Sequence, residues 1–312
     1  MIEIYNQTML EIVTDCEEAL KRLEPLELLK ITIPNPDLRG SNYSGNASDQ
    51  GVIHHSWKAW FDLSSLLFCR MLTPHILEEG RVLLRFERLD TIDSFHQQKS
   101  SDKKEKYGSE SIFATIDKNE ETAFLYAYRH ALQQVKVAER ETILDLGINS
   151  GDEFDLIKKM LDREEYSELQ LIGVDHSATA IATARERFPE SNVTLHCHDI
   201  NKLESLELPK ANLIISIGTL QSPNIPFKTL FMSLVQNYLT KDGAVILGFP
   251  NSRWVDGEML YGAKAPNYSF SEMSLLIKDI YFCKKYLQQH KFRVTITGKD
   301  YLFLTATRIG LI

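Results

Sequence analysis

From residue 141 onward, short apolar runs alternate along the chain with segments whose apolar residues have helical spacing. The runs predict strands, and they read TILDLG, LQLIGVD, VTLHCHDI, ANLIISIG and GAVILGFP. The segments between them predict helices, and they read EFDLIKKMLDR, ATAIATARERF and FKTLFMSLVQNYL. Strands and helices that alternate in this way are typical of βαβ units with a mostly parallel sheet. Because the strand runs are almost wholly apolar, we expect helices to cover both faces of that sheet.

The end of the chain breaks this alternation. A long helix is predicted over 272–289, and it precedes the segment FRVTITGKDYLFLTATR. Two strand-like runs surround a Gly-Lys-Asp turn there, which predicts a β-hairpin with one antiparallel strand in the sheet. We therefore predict an α/β domain over 118–312, with a helix at 119–137 leading into a doubly wound, mostly parallel seven-stranded sheet that ends in an antiparallel hairpin.

The part of the chain before this domain has a mixed pattern. Apolar residues have helical spacing over 9–30, a mostly buried helix is predicted over 56–72, and 81–90 alternates like a strand. The segment 33–51 is rich in Pro, Gly, Ser and Asn and is long for a connector, so it is a candidate lid or binding loop. We predict a helical and mixed cap region over 1–117 that binds the substrate.

Composition and charge narrow the possible functions. The chain of 312 residues has a net charge of −8 with interspersed acids and bases, so nucleic-acid partners are disfavoured. No apolar stretch reaches the roughly 18 residues of a membrane-spanning helix, and the acidic N-terminus lacks the basic start of a signal peptide. The 4 cysteines form no CxxC pair, which favours reduced thiols in a cytoplasmic protein. The oligomeric state stays open.

The first predicted strand runs into a glycine-bearing loop, ILDLGINSGD, at 143–152. Gly147 and Gly151 bracket the turn, and glycine permits a left-handed backbone and close approach of a ligand. Asn149 stands where such loops often carry another glycine, and asparagine tolerates left-handed geometry well. Asp152 disfavours a bound phosphate, since two anions would repel each other at a helix N-terminus. The loop alone fits a ligand site and an ordinary β-to-α turn equally well.

Acids recur at the ends of the following strands. Asp145 ends the first strand, Asp175 ends the second, and Asp199 ends the third. The carboxyl ends of such strands line one ligand crevice in a doubly wound sheet, where Asp175 can accept both ribose hydroxyls. Asp199 can accept a hydrogen bond from an adenine amino group. Because Asp199 has this use, we expect no metal site at His196 and His198 beside it.

The glycine loop, the acids and the terminal hairpin together resemble the class I S-adenosylmethionine-dependent methyltransferases, over about residues 120–312. Asn149 departs from the family's first motif, which usually has a glycine at this position. The resemblance is nevertheless specific, because the glycine loop, Asp175, Asp199 and LIISIG follow in the family's order and the hairpin comes after them. It implies S-adenosylmethionine as cofactor and S-adenosylhomocysteine as product, with Asp145 near the ammonium group and the end of LIISIG beside the methyl group. The cofactor-binding residues implied are Asp145, Gly147, Asn149, Gly151, Asp175, His176, Asp199, Ile200, Ser216, Ile217 and Gly218.

We expect the residues that bind the methyl acceptor to lie in the N-terminal region and in the loop after the fifth predicted strand. His55 and Tyr261 are candidate catalytic residues, with His55 a possible general base in an aromatic surrounding. Candidate substrate-binding residues are His54, Trp57, Arg253 and Trp254. A structural or surface role for the histidine pair stays open.

These observations favour a cytoplasmic S-adenosylmethionine-dependent methyltransferase that acts on a small molecule. The segment SIGTLQSP lacks the Asn/Asp-Pro-Pro-aromatic pattern of enzymes that methylate amide or nucleobase nitrogens. The alternatives are an RNA- or protein-directed methyltransferase and a non-catalytic cofactor-binding protein. An NAD-dependent enzyme is a further alternative, and it fails if the last strand runs antiparallel.

Overall fold

The fold is taken from a computed structural model of the chain. It describes residues 1–38, 43–46, 53–90, 116–251, 253–255, 258–260 and 273–310, without the side chains of 253–255 and 258–260. The chain divides into two compact units, one formed by Met1–Gln98 with Trp254–Leu260 and the other by Lys99–Arg253 with Tyr261–Ile312. The domain boundary predicted after residue 117 stays a prediction.

In its described residues, the first unit has a five-stranded sheet and two α-helices. Its strands are β1 (Ile2–Glu3), β2 (Leu28–Pro34), β3 (Cys69–Met71), β4 (His75–Ile76) and β5 (Arg81–Arg88), and its helices are α1 (Met9–Leu20) and α2 (Trp57–Leu66). The sheet order is β1-β2-β5-β3, with β4 also paired to β5. The buried apolar side chains of both helices pack against β2 and β5 in one core.

Two helices predicted here are shorter than expected. The helix expected over 9–30 ends at Leu20, and Leu28–Pro34 instead pairs with β5 as a strand. The helix expected over 56–72 ends at Leu66, since Phe68 has a left-handed φ of +56° and Cys69–Met71 pairs with β5. In both places pairing with a distant strand overrides the local helical pattern. The strand predicted over 81–90 is confirmed by β5.

The second unit contains a seven-stranded sheet with helices on both faces. Its strands are β6 (Thr142–Leu146), β7 (Gln170–Asp175), β8 (Val193–Cys197), β9 (Ala211–Ile217), β10 (Leu239–Pro250), β13 (Phe292–Gly298) and β14 (Tyr301–Arg308). Its helices are α3 (Thr122–Gln134), α4 (Asp152–Met160), α5 (Arg163–Glu168), α6 (Ala178–Arg187), α7 (Phe227–Ser233) and α8 (Ser274–Gln289). Two further short strands, β11 (Arg253–Val255) and β12 (Glu258–Leu260), pair with each other.

The strand order of this sheet is β13-β14-β10-β9-β6-β7-β8. The pairs from β10 to β8 are parallel, whereas β14 is antiparallel to both β10 and β13. The hairpin turns at Gly298, whose φ is +99°. The doubly wound, mostly parallel sheet and its terminal hairpin are therefore confirmed.

Two hydrophobic layers hold this sheet. One layer contains Ile143 and the buried faces of α3, α4 and α6, and the other contains Leu144 with α7 and α8. Because side chains alternate along a strand, Asp145 lies on the same face of β6 as Ile143 and points toward the layer of α3 and α4. Within the described ranges, no helix is long and apolar enough to cross a membrane.

Candidate active site

Two neighbouring strands of the seven-stranded sheet send the chain in opposite directions. β6 and β9 pair in parallel, with Leu144 opposite Ile214, yet the chain continues to β7 on one side and to β10 on the other. Open α/β sheets bind ligands outside the carboxyl ends of the strands at such a point. The loops that follow β6 and β9 therefore form the mouth of the candidate site.

These two loops approach each other closely at Gly147. The φ of Gly147 is +84°, and a Cβ placed there would lie 1.8 Å from Oγ1 of Thr219, which follows β9. Both the backbone conformation and the lack of space exclude a side chain at this position. The protein's own packing thus requires this glycine, whatever ligand binds beside it.

Asn149 keeps the turn that a glycine would otherwise make. Its φ is +47°, in the left-handed region, as the sequence predicted. Its backbone N–H donates to Oδ2 of Asp175 at 3.0 Å, and its own Oδ1 accepts from the backbone N–H of Ser150 at 2.7 Å. The amide side chain therefore stabilises its own loop, and Gly151, with a φ of +95°, is the N-cap residue immediately before α4.

Asp175 ends β7 and joins the loop after β6 to the start of α6. Its Oδ2 accepts from Asn149, and its Oδ1 accepts from the backbone N–H of Ser177 at 2.9 Å. The ring Nδ1 of the exposed His176 lies 3.4 Å from the same Oδ1. An ionised carboxylate offers about four acceptor positions, so two backbone donors leave acceptor capacity for hydroxyl groups of a ligand.

Asp145 is the most unusual group at this edge of the sheet. Asp145 is only 1% exposed, and neither oxygen of its carboxyl group accepts a hydrogen bond from any described residue. Burial raises the pKa of Asp145 well above its usual range, and the charge of Glu153 raises it further, while Lys118 opposes both. A buried polar group without a partner costs stability, so we expect a functional reason for it.

A buried ion pair that the sequence did not predict lies next to Asp145. Nζ of Lys118 is 3.7 Å from Oε1 of Glu153, and their side chains are 12% and 2% exposed. The hydroxyl of Tyr128 on α3 donates to the backbone carbonyl of Glu153 at 3.4 Å. One sequence signal was available: Glu153 precedes Ile157 by one helical turn, so it belongs to the buried face of α4.

The start of α4 is strongly acidic. Its first turn carries Asp152, Glu153 and Asp155, and Arg187 of α6 binds Asp152 at 2.7 Å and Asp155 at 3.1 Å. A pyrophosphate at this helix N-terminus would meet these carboxylates in place of free backbone donors. The acids and the antiparallel β14 together argue against the NAD-dependent alternative.

Asp199 and Ile200 follow β8, at the same edge of the sheet as Asp175. Oδ1 of the exposed Asp199 accepts from the backbone N–H and the side-chain Nδ2 of Asn201, at 2.9 and 3.0 Å. These contacts begin a short 3-10 helix, Ile200–Leu206, in which Ile200 is buried. An apolar side chain beside a solvent-facing carboxylate is compatible with an adenine ring and its amino group.

Ser216, Ile217 and Gly218 end β9. The buried hydroxyl of Ser216 donates to the carbonyl of Leu146 at 3.0 Å and ties β9 to β6, while Ile217 belongs to the core. Gly218 is exposed with a φ of +73°, and a Cβ there would meet no atom closer than 3.9 Å, the hydroxyl of Tyr301. Bare backbone therefore faces open space at the mouth of the site.

The acceptor candidates of the N-terminal region lie in the first unit. Nε2 of His55 is 3.1 Å from the carbonyl of Gln7, and Nε1 of Trp57 donates to Asp37 at 2.7 Å. His54 is buried at 5% exposure. His54 and His55 line a small, mostly apolar and aromatic cavity with Ile4, Tyr5, Pro34, Pro36, Ile53 and Trp60.

Part of the predicted site lies outside the described residues, namely Tyr261 and the side chains of Arg253 and Trp254. In the part of the chain that the structure describes, no group of histidine, cysteine and acidic side chains could hold a metal ion.

Comparison with known proteins identifies the family. A family model described as a methyltransferase domain matches residues 138–293, which is half of the 312-residue chain. The chain therefore belongs to this family. With its reversed last strand and its acids at the ends of β6 and β7, it is a class I S-adenosylmethionine-dependent methyltransferase.

Several solved methyltransferase structures are similar in fold. The plantazolicin methyltransferase BpumL in complex with S-adenosylhomocysteine is 14% identical, with 63% of this chain and 89% of that chain covered and a TM-score of 0.44. Magnesium protoporphyrin IX methyltransferase from Synechocystis PCC 6803 with bound S-adenosylmethionine is 15% identical, with 62% and 83% covered and a TM-score of 0.41. Ribosomal protein L11 methylase from Lactobacillus delbrueckii subsp. bulgaricus is 14% identical, with 58% and 76% covered and a TM-score of 0.39. No curated protein sequence matches the chain.

Proposed function

We propose that the edge of the sheet around Asp145 and Asp175 binds S-adenosylmethionine, and that the methyl acceptor is a small molecule. The observation that carries the cofactor assignment is the buried carboxyl group of Asp145, which accepts no hydrogen bond from the described residues. An ammonium group supplies both the positive charge and the N–H donors that such a carboxylate lacks. The amino-acid end of S-adenosylmethionine carries that group.

The remaining residues suit the other parts of the cofactor. Asp175 has acceptor capacity left for ribose hydroxyls, and Asp199 with Ile200 suits adenine. The loop of Gly147, Asn149 and Gly151 surrounds the methionine part, and Gly218 leaves room beside the reacting centre. His176, next to Asp175, is proposed to cover the ribose.

The bound cofactor supplies an activated methyl group on a sulfonium, so the protein mainly has to position the acceptor and remove a proton where needed. His55 suits the proton step. Because its Nε2 faces the carbonyl of Gln7, which can only accept, Nε2 carries the hydrogen and Nδ1 is the basic nitrogen. We propose His55 as the general base, with Tyr261 as a second catalytic residue and His54, Trp57, Arg253 and Trp254 as substrate-binding residues.

Two features favour a small acceptor. The net charge of −8 does not favour a polyanion such as RNA, whose binding relies on Lys and Arg contacts to phosphate. The segment SIGTLQSP also lacks the Asn/Asp-Pro-Pro-aromatic pattern of enzymes that methylate amide or nucleobase nitrogens, which disfavours a nucleobase or protein amide as acceptor. The free state of all four cysteines supports the further proposal of a cytoplasmic location.

Transfer of a labelled methyl group tests this function. The protein is incubated with S-adenosylmethionine labelled in the methyl group and with a small-metabolite extract, total RNA or total protein in separate reactions. We expect label in the low-mass fraction only, and its loss in Asp175→Ala. Label that enters RNA or protein would contradict the small-molecule assignment, and the absence of S-adenosylmethionine binding would contradict the whole proposal.

A further inference from the structure

Three ionisable side chains share one buried space beside β6. Asp145 comes from the end of the strand, Glu153 from the first turn of α4, and Lys118 from the segment before α3. Asp175 from β7, Asp152 from α4 and Tyr301 from β14 are the other titratable groups that act on them. Glu153 and Lys118 are close enough to shift the pKa of Asp145, and Glu153 and Asp145 both raise the pKa of Lys118.

The charges of this cluster do not balance. Lys118 carries one positive charge, whereas Asp145 and Glu153 carry two negative charges when both are ionised. The ion pair places Lys118 against Glu153, at 3.7 Å, and the oxygens of Asp145 have no hydrogen-bond donor among the described residues. Burial alone would lower the pKa of Lys118, but Glu153 and the other nearby groups outweigh it and raise the pKa above its usual range. Lys118 is therefore a permanent cation.

We propose that Lys118 is a positioning residue for the cofactor: it neutralises Glu153 and so reserves Asp145 for the ammonium group of S-adenosylmethionine. In the free protein, a proton on Asp145 balances the remaining charge. When the ligand's ammonium group binds, that proton leaves to solvent and the carboxylate takes the ammonium as its partner. This inference rests on the proposed function, because it needs a cationic ligand at Asp145.

The two partners of the ion pair then have opposite effects on Asp145. Without Lys118, both carboxyl groups lack a counter-ion, so Asp145 holds its proton more firmly. Without the charge of Glu153, Lys118 becomes the counter-ion of Asp145 and competes with the ligand. Removal of both leaves Asp145 with neither a competing cation nor the charge of Glu153 beside it, so the ligand's ammonium is again its best partner.

Calorimetric titration with S-adenosylhomocysteine, which has the same ammonium group, tests this in a double-mutant cycle. Wild type, Lys118→Met, Glu153→Gln and the double variant are each titrated in buffers of different ionisation enthalpy, which gives the number of protons released. We expect wild type to release a fraction of one proton, Lys118→Met to release a larger fraction that approaches one, and Glu153→Gln to release almost none. Each single variant should bind at least about tenfold more weakly, equivalent to one pKa unit, and the double variant within about threefold of wild type.

Two kinds of control separate this role from a merely structural one. Lys118→Arg keeps the charge and should keep the wild-type proton count, which covers the case in which Lys118→Met does not fold. Lys136→Met and Glu139→Gln remove an ion pair whose side chains are both 66% exposed, and they should change neither affinity nor proton count.

The outcomes are distinct. If wild type binds S-adenosylhomocysteine but the single variants shift the proton count in the same direction, or their losses add in the double variant, this inference is wrong and the proposed function stands. If wild type does not bind the ligand at all, the proposed function is wrong and this inference falls with it.

Discussion

The buried carboxyl group of Asp145 gives a sharp prediction for stability. A carboxyl whose folded pKa is raised keeps a proton that the unfolded chain has already lost above the usual value of 3.8. The contribution of Asp145 to the free energy of unfolding is therefore fully present below pH 3.8, the pKa in the unfolded chain. This contribution is lost as the pH rises through the raised pKa of the folded protein. Within that window the free energy of unfolding falls by up to about 1.4 kcal/mol per pH unit.

Asp145→Asn removes this titration and keeps the shape of the side chain. In the absence of ligand, we expect the variant to gain stability relative to wild type as the pH rises, and the difference to level off above the raised pKa. The variant should also bind S-adenosylhomocysteine more weakly by about 1.5–3 kcal/mol, because a neutral amide replaces the carboxylate in a charged hydrogen bond. When a buried group lacks a hydrogen-bond partner until the ligand binds, its replacement is expected to raise stability and to weaken binding.

Urea unfolding of both proteins from about pH 5 to about pH 8 measures the effect, with the midpoint and slope fitted at each pH. Glu139→Gln, at an exposed ion pair, serves as the control and should stay within about 0.5 kcal/mol of wild type throughout. A stability difference between Asp145→Asn and wild type that does not change with pH would refute the account of Asp145.

Three other substitutions test the loops and the acceptor side. Gly147→Ala should lower the free energy of unfolding by about 2–5 kcal/mol in urea, because a left-handed φ and the overlap with Thr219 both disfavour a Cβ; a loss below about 1 kcal/mol would contradict the described packing. Asn149→Gly should change stability by less than about 1 kcal/mol, since relief of the left-handed φ offsets the lost hydrogen bond to Ser150, and calorimetry should show nearly unchanged S-adenosylhomocysteine affinity. His55→Ala should lower kcat by about 10²–10⁴-fold in the methyl-transfer assay with an unchanged KM for S-adenosylmethionine, and an unchanged kcat would exclude a general base there.

The mostly parallel sheet could be predicted because its signals are local. Each strand of the parallel part is a short apolar run with its own helix after it, so the pattern alone indicates βαβ units. Asp175 could be placed at the crevice by the same reasoning, since it ends such a run. Asn149 could be placed in a left-handed turn because few residues other than glycine tolerate that conformation.

The rest depended on partners that are distant along the chain. Leu28–Pro34 continues a helical pattern and becomes a strand only because β5 supplies hydrogen bonds along its length. Lys118 contacts Glu153 only once α4 packs beside the segment before α3. Lysine and glutamate are usually exposed, so the residue types do not predict a buried pair. Burial of charge is set by tertiary packing, so the electrostatics of Asp145 followed from the structure and not from the sequence pattern.

Ligand titration into wild type and Asp175→Ala tests the central claim most directly. S-adenosylmethionine, S-adenosylhomocysteine and NAD are each titrated calorimetrically into both proteins. The account predicts that both sulfur compounds bind wild type and NAD does not, and that Asp175→Ala weakens binding by about ten- to hundredfold, equivalent to about 1.5–3 kcal/mol for hydrogen bonds to a charged group. Binding of NAD alone, or sulfur-compound binding that Asp175→Ala leaves unchanged, would contradict it.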